Sequence, residues 1–138
     1  MATRSRIALE RENGTVVSIY CHNDGYLNGV GSTLATHYTD PKKVQSLISL
    51  GDLSSIGAKL KPPAGEKHSF DNPIRGVTIA YRRDRGEGGC LPRHDKTVDD
   101  YFNSDTEEYG YLLTKEGVWK YVTYSNKNPV TLTENISA

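Results

Sequence analysis

An N-terminal β-hairpin narrows the possible folds of this chain more than any other sequence feature. Residues 6–10 alternate in polarity, residues 12–14 (Glu-Asn-Gly) provide a turn, and residues 15–22 are rich in β-branched side chains. Successive side chains of a strand point to opposite faces, so one face of this hairpin is apolar. The residues expected on that face are Ile7, Leu9, Val17, Ile19 and Cys21. Those expected on the other face are Arg6, Ser18, Tyr20 and His22.

Two helices are predicted to cover the apolar face. The second has the clearer signals: Thr39 or Asp40 caps its start, Pro41 occupies the first turn, and Gly51 ends it. Its apolar stripe is formed by Val44, Leu47 and Ile48. A shorter helix is predicted from about Gly29, where apolar residues begin to recur at helical spacing.

The remaining elements are predicted to be strands that follow one irregular connection. Residues 53–75 contain three of the six prolines, which predicts a surface loop and not a central strand. Residues 76–83 alternate in polarity, and residues 109–113 with 118–124 form a second hairpin. Val77, Ile79 and Tyr81 are expected on one side of this single strand, and Val77 and Ile79 are expected in the core.

This order of elements predicts an α+β fold in a single domain that spans 1–138. We expect a mostly antiparallel sheet of about five strands with two main helices on one face. A chain of 138 residues is an ordinary length for one domain. Its polar C-terminus, 131–138, is expected to be a flexible tail.

The composition excludes several classes of protein. The chain has 17 basic and 17 acidic residues, and this balance argues against a polycation that coats nucleic acid. It contains no apolar stretch of the roughly 18 residues that span a membrane, and its N-terminus lacks the apolar core of a signal peptide. Two cysteines are too few for a disulfide framework. We therefore expect a reduced cytoplasmic protein that needs no cofactor.

A glycine-rich turn between the first hairpin and the first helix is a candidate anion site. Gly29, Gly31 and Ser32 stand where a strand leads into a helix, whose free N–H groups and positive dipole end can hold a phosphate. The turn lacks the lysine of a P-loop. The alternative is a flexible turn followed by Ser32 as a helix cap.

An arginine cluster at the end of the predicted 76–83 strand is a second candidate. Guanidinium groups bind phosphates through two parallel hydrogen bonds, and tyrosines offer rings on which a base can stack. The candidate binding residues of this group are Tyr26, Tyr81, Arg83, Arg85 and Arg93. The sharpest hypothesis brings Arg83 and Arg85 to the Gly29–Ser32 helix start; the alternative is a solvated charged face.

Metal and catalytic patterns are incomplete. Cys90 and His94 have a ligand-like spacing, but Cys21 and His22 point to opposite faces of one strand and cannot share an ion, so no metal site is expected. His37, in the sequence His-Tyr-Thr, has the form of one half of a two-histidine phosphoesterase site, and the second half is missing. We therefore assign no catalytic residue and do not expect an enzyme.

An acidic segment, 99–108, holds five carboxylates and no basic residue. Three interpretations remain open for it. It is a solvated loop, a patch that faces a protein partner, or one half of an intersubunit contact with the arginines in a homo-oligomer.

Several segments resemble a family of small tailed-phage proteins. They are 3–7 (TRSRI), 18–26 (SIYCHNDGY), 38–39 with 50–55 (LGDLSS), and 76–85 (GVTIAYRRDR). Many relatives carry an aromatic residue where this chain has Asn23. The resemblance implies an accessory protein made in the cytoplasm of an infected bacterium, and it supplies no catalytic residues.

Small phage accessory proteins are often counter-defence factors, and this association suggests two classes of function. The first is a protein that binds and sequesters an anionic, cyclic nucleotide signal of bacterial immunity without turnover. The second is an inhibitor that binds a bacterial defence or host enzyme. A nucleotide phosphoesterase is a third. The glycine turn and arginines favour the first class, and the acidic segment favours the second.

Overall fold

The N-terminal hairpin forms as predicted. Strand β1 (Ser5–Glu10) pairs antiparallel with β2 (Val16–Cys21). Ile7 lies opposite Ile19, and Leu9 lies opposite Val17, so the apolar side chains share one face. This computed structural model describes residues 3–104 and 107–132.

The rest of the chain adds four α-helices and six strands in an α+β fold. Its elements in chain order are α1 (Ser32–His37), α2 (Pro41–Ser49), β3 (Leu53–Ser55), β4 (Ile79–Ala80), α3 (Tyr81–Arg85), β5 (Arg93–Asp95), α4 (Val98–Asn103), β6 (Tyr109–Leu113), β7 (Trp119–Thr123) and β8 (Val130–Thr131). One π-helical turn, Leu27–Gly31, runs directly into α1. Among the described residues, no helix is both long and apolar enough to cross a membrane.

The sheet is larger and more mixed than predicted. Its order is β4-β3-β2-β1-β6-β7-β8, and β5 also pairs with β2, which gives eight strands instead of about five. Two of the pairings, β1 with β6 and β2 with β3, are parallel. The three strands that were not predicted, β3, β5 and β8, have two or three residues each. Segments this short show no polarity alternation that a sequence could reveal.

The helices cover both faces of the sheet, which corrects the prediction of two helices on one face. Helices α1 and α2 pack on the inner face, where Leu34, Leu47 and Ile48 join Ile7 and Ile19 in the larger core. Helix α4 packs on the outer face. The smaller core there contains Ala8, Val16, Tyr101, Phe102, Leu112 and Val122.

Helix α2 has the predicted boundaries. The Asp40 carboxylate accepts a hydrogen bond from the Lys42 N–H at 3.0 Å, and Pro41 begins the helix. Gly51, at φ 81°, follows its end. Asp40, rather than Thr39, is therefore the cap.

The predicted strand 76–83 is extended only in part. Val77 forms a single β-bridge and Ile79–Ala80 form β4, but the last three residues belong to helix α3, Tyr81–Arg85. The Asp84 side chain accepts from the Ala80 N–H at 2.8 Å, and Gly86, at φ 72°, ends this short helix in the left-handed conformation. Thr78 and Ala80 are buried and Ile79 is half-buried, so the predicted inward face was wrong at Ile79.

Two predicted irregular segments contain more structure than expected. Residues 53–75 begin with β3, and Lys59 bridges to Val77 just beyond the segment. The predicted tail 131–138 begins inside β8, and Leu132 is buried in the larger core. The remaining positions, 133–138, lie outside the described residues.

Candidate anion-binding site

The N–H groups of residues 29–32 in the glycine turn are hydrogen-bonded within the chain. The Gly29 N–H donates to the Tyr26 carbonyl at 3.0 Å, and the Val30 N–H donates to the Asp24 carbonyl at 2.8 Å. The Ser32 N–H donates within the same turn, to Gly29 and Leu27. These donors are therefore already occupied by the chain itself, and the turn offers no anion cradle of the kind expected at a helix start.

Packing explains the two glycines of the turn. A Cβ atom at Gly29 would overlap the backbone carbonyl of Asp24. A Cβ atom at Gly31, which is buried, would crowd the rings and methyl groups of Tyr111 and Leu132 at 3.3 Å. Gly29 therefore has to be glycine because the backbone approaches it closely, whereas a larger residue at Gly31 would require the neighbouring side chains to shift.

Tyr26 and Arg93 have partners of their own, away from helix α3. Tyr26 is exposed, and its hydroxyl donates to Asp24 at 3.3 Å. The charge of Asp24 raises the pKa of Tyr26. Arg93 lies on β5, where it pairs with Asp95 at 3.3 Å and donates to Ser104. The predicted site residues thus separate into three neighbourhoods.

Helix α3 keeps the remaining three candidate residues together. Tyr81, Arg83 and Arg85 fall within its five residues. The Arg85 guanidinium lies 4.7 Å from the centre of the Phe70 ring, and that ring lies 6.0 Å from the Tyr81 ring. A cation and two aromatic rings therefore share one surface, a combination that suits a nucleotide.

Arg83 makes four side-chain hydrogen bonds to the surrounding chain, and we call this set of contacts the clamp. Its Nε donates to Asp84 at 2.9 Å, its Nη1 donates to the Leu60 carbonyl, and its Nη2 donates to the Thr78 carbonyl, both at 2.6 Å. Nη2 also donates to Asp84 at 3.0 Å. Among the described residues, the second Nη1 hydrogen has no acceptor, so the clamp leaves one donor for a ligand.

The side chains of His68 and Asp84 contact each other where the loop, residues 53–75, meets helix α3. The Asp84 side chain is 3% exposed and the His68 side chain 1%. Burial alone would raise the pKa of Asp84, but the hydrogen bonds from Arg83 and the Ala80 N–H outweigh it and lower the pKa. The Phe70 N–H donates to the Asp84 carbonyl at 2.9 Å.

The ring of His68 has a defined tautomer. Its Nδ1 accepts from the Ile74 N–H at 2.9 Å, so a neutral ring carries its proton on Nε2. Nε2 lies 3.2 Å from the Thr78 carbonyl and 3.3 Å from the Asp84 carboxylate. Both nitrogens are engaged inside the protein, so His68 does not supply the second half of a two-histidine site with His37. Sequence reasoning missed this structural role, for which the sequence carries no local signal.

A cleft of about 610 Å³ adjoins the clamp, and we call it the proline cleft. It lies between α2 and the loop that contains Pro62 and Pro63. The residues that line it are Ser46, Ser49, Leu50, Leu60, Lys61, Pro62, Pro63, Ala64, Gly65, Glu66 and Arg83. Its volume is in the range of small-molecule sites, and its walls are largely apolar with a few polar groups, as in such sites.

The part of the chain that supplies the loop wall of this cleft carries an excess of positive charge, and Lys61, Glu66 and Arg83 are its charged members that line the cleft. Residues 59–85, which we call the basic segment, contain seven basic and three acidic residues and thus carry a net charge of +4. Because the whole chain is neutral, the rest of the chain carries −4. This asymmetry is invisible in the total charge, and it gives the segment a field that attracts anions.

No three His, Cys, Asp or Glu side chains within 3–104 and 107–132 are grouped to hold a metal ion. Comparisons with protein-family models, curated proteins and solved structures give no match to this chain.

Proposed function

We propose that this protein binds an anionic nucleotide in the proline cleft and sequesters it without turnover. The observation that carries the proposal is the net charge of +4 on the basic segment, which supplies the clamp and one wall of the cleft. Lys61, Arg83 and Glu66 are the charged residues that line the cleft. Arg85 and Tyr81 lie on the adjoining helix α3, and Phe70 of the loop packs against both of them. Cations, apolar walls and aromatic rings together match the chemistry of a nucleotide.

The ligand class is suggested by the resemblance to tailed-phage proteins, because small phage accessory proteins are often counter-defence factors. A phage accessory protein of this kind would act in the cytoplasm of the infected bacterium. There it would remove a cyclic nucleotide signal on which bacterial immunity depends. Binding alone is sufficient for that role, because a protein in excess of the signal lowers its free concentration.

A thermal-shift screen tests the proposal. Cyclic dinucleotides, cyclic trinucleotides and isomers of cyclic ADP-ribose are each added to the purified protein. A ligand present at 100 times its dissociation constant adds about 2.7 kcal/mol to the free energy of unfolding. The ligand should be recovered intact after heat denaturation, whereas a hydrolysed product would indicate a phosphoesterase.

Two lysines of the loop provide a matched pair of variants. Lys61 lines the cleft, and Lys67 is exposed six residues further along without lining it. Lys61→Glu should weaken nucleotide binding by at least about tenfold because it places a carboxylate beside the phosphate. Lys67→Glu makes the same charge change and should retain much more of the affinity. Equal losses in both variants, or no shift with any nucleotide, would overturn the proposal.

A protein–protein inhibitor is the second candidate. Asp99 and Asp100 of the acidic segment are exposed on α4, as an interface would require. They also lie in the first turn of α4, where carboxylates stabilise a helix, so they have a local role as well. Co-purification of a host protein by the wild-type chain, lost in a variant with both residues changed to Asn, would favour this candidate.

A further inference from the structure

Helix α4 leaves part of the outer sheet face uncovered. The side chains there come from the start of β1, the end of β2 and the start of β5. We call this region the open sheet face, and its residues are Arg4, Arg6, Tyr20, His22 and Arg93. Arg6 is the direct cross-strand partner of Tyr20, and Ser18 is that of Arg93, so these side chains are neighbours.

Among the described residues, the Arg6 guanidinium on this face makes no direct ion pair, although the charges of Asp52 and Asp95 act on it. It is half-buried, and its Nε and Nη2 donate only to Ser18, at 3.1 and 3.2 Å. Within 3–104 and 107–132, no carboxylate lies at ion-pair distance from Arg6. Three of its N–H bonds therefore have no acceptor in that part of the chain. A partly desolvated cation normally has such a partner.

A second guanidinium lies beside the first. Arg93 is held by Asp95 at 3.3 Å and by the Ser104 hydroxyl at 2.7 Å, and it lies 6.0 Å from the centre of the Tyr101 ring. Burial, and then repulsion by Arg93, lower the pKa of Arg6. Asp52, another nearby carboxylate, accepts from the Tyr20 N–H at 2.9 Å. Two like charges held close together are stabilised when an anion binds between them.

We infer that Arg6 and Arg93 form a second anion site, which binds a phosphate group on the open sheet face. The site lies on the opposite side of the sheet from α2 and the proline cleft, so it is independent of the proposed nucleotide site. The unpaired N–H bonds of Arg6 provide a two-pronged donor for phosphate oxygens. Tyr20 and His22 border the site, and a hydrogen bond of 2.7 Å joins the Tyr20 hydroxyl to His22 Nδ1.

Arginine side-chain NMR with inorganic phosphate tests this inference. Phosphate replaces chloride at constant ionic strength while the Nε–Hε signals of the arginines are followed. The Arg6 and Arg93 signals should shift together and saturate. If these signals do not shift, or if they shift equally when chloride is added instead of phosphate, the inference is overturned.

Variants locate the binding group. Arg6→Gln should lower phosphate affinity by about tenfold or more, because charge-assisted hydrogen bonds are lost. Arg11→Gln removes an exposed charge from the β1–β2 turn and should change nothing. If Arg6→Gln fails to fold, Arg6→Lys is tested instead. It keeps the positive charge but loses the planar, two-pronged guanidinium, so it should still weaken phosphate binding. An unchanged affinity in a folded Arg6 variant would refute the site.

The cleft variant separates this inference from the proposed function. Lys61→Glu should leave the phosphate-dependent shifts of Arg6 and Arg93 unchanged. Loss of those shifts in Lys61→Glu would show that the two sites are not independent and would overturn the inference.

Discussion

Asp84 connects the loop and helix α3 through four kinds of contact. Its carboxylate accepts from Arg83 and from the Ala80 N–H, it faces the His68 ring, and its carbonyl accepts from the Phe70 N–H. A single carboxylate therefore fixes both the cation that lines the cleft and the loop that covers it.

Replacing Asp84 by asparagine should destabilise the protein by about 1.5–3 kcal/mol, because the hydrogen bonds of Arg83 lose a charged acceptor. The lowered pKa gives this loss a pH dependence. Ionised Asp84 stabilises the fold above its unfolded pKa of about 3.9, and this stabilisation is lost as the pH falls through the folded pKa. Urea denaturation of the wild type and Asp84→Asn should show a constant difference above about pH 5 that shrinks in acid.

Asp71→Asn is the control for that experiment, since Asp71 is exposed in the same loop. Its free energy of unfolding should remain within about 0.5 kcal/mol of the wild-type value. A difference between the wild type and Asp84→Asn that does not change in acid would show that ionisation of Asp84 does not stabilise the fold.

Gly29→Ala should destabilise the protein by about 1–3 kcal/mol, because the new Cβ atom would overlap the Asp24 carbonyl and the backbone would have to shift. Gly88→Ala is the matched control, since no atom lies within 4 Å of the position of its Cβ. Denaturation midpoints measure both. A Gly29→Ala protein as stable as the wild type would contradict the packing explanation for this glycine.

Elements with strong local signals could be predicted from sequence. The β1–β2 hairpin has polarity alternation and an Asn-Gly turn, and α2 has a cap, a proline and an apolar stripe. Helix α3 could not be predicted in this way. The alternation of residues 76–83 is typical of a strand, and the contact that supports a helix there, the hydrogen bond from the Ala80 N–H to Asp84, is visible only in the structure. Helix α4 does carry a signal: Thr97 accepts from the Asp100 N–H as its cap. The acidic residues there equally suit a solvated loop, a patch that faces a partner or an intersubunit contact, so this capping signal does not stand out in the sequence.

The candidate site was harder to predict than the fold, since it depends on contacts between distant residues. Arg83 reaches the Leu60 carbonyl, 23 residues away. The proline cleft forms between α2 and the loop, and neither segment alone indicates a cavity. The predicted binding residues therefore lie in three places. Helix α3 holds Tyr81, Arg83 and Arg85, and the glycine turn holds Tyr26, Gly29, Gly31 and Ser32, in both cases because the residues are close in sequence. Arg93 lies on β5.

Leu47→Ala in α2 should cost about 2–5 kcal/mol, the usual range for removing a buried leucine side chain. Gln45→Ala, on the exposed face of the same helix, should change the free energy of unfolding by no more than about 0.5 kcal/mol. Urea denaturation compares the two variants. Equal midpoints would contradict the orientation of α2 on the sheet.

A neutral chain can still bind an anion when its charges are separated. The basic segment carries +4, and the remainder carries −4. The position of a charge change should therefore matter more than its size for nucleotide affinity.

Arg85→Glu and Arg11→Glu change the net charge by the same amount. Arg85 lies inside the basic segment, and Arg11 lies outside it. Arg85→Glu should lower nucleotide affinity strongly, and Arg11→Glu should lower it little. Titration calorimetry between about 0.01 and 0.1 M salt should show wild-type affinity falling as the Debye length shortens. Arg85→Lys should keep part of the affinity. Equal effects of the two charge reversals would indicate that the segment's field does not direct binding.

Because β1 pairs with β6, one edge of β1 stays unpaired during synthesis of the protein. The β1–β2 hairpin is complete by Cys21, whereas β6 begins at Tyr109. At about 5–20 residues per second, a ribosome needs roughly 5–20 s to synthesise the intervening chain. During that time the free edge of β1 exposes N–H and C=O groups that another chain can pair with. Slow translation of this interval should therefore promote aggregation of the nascent protein, and release of the C-terminal hairpin should end that exposure.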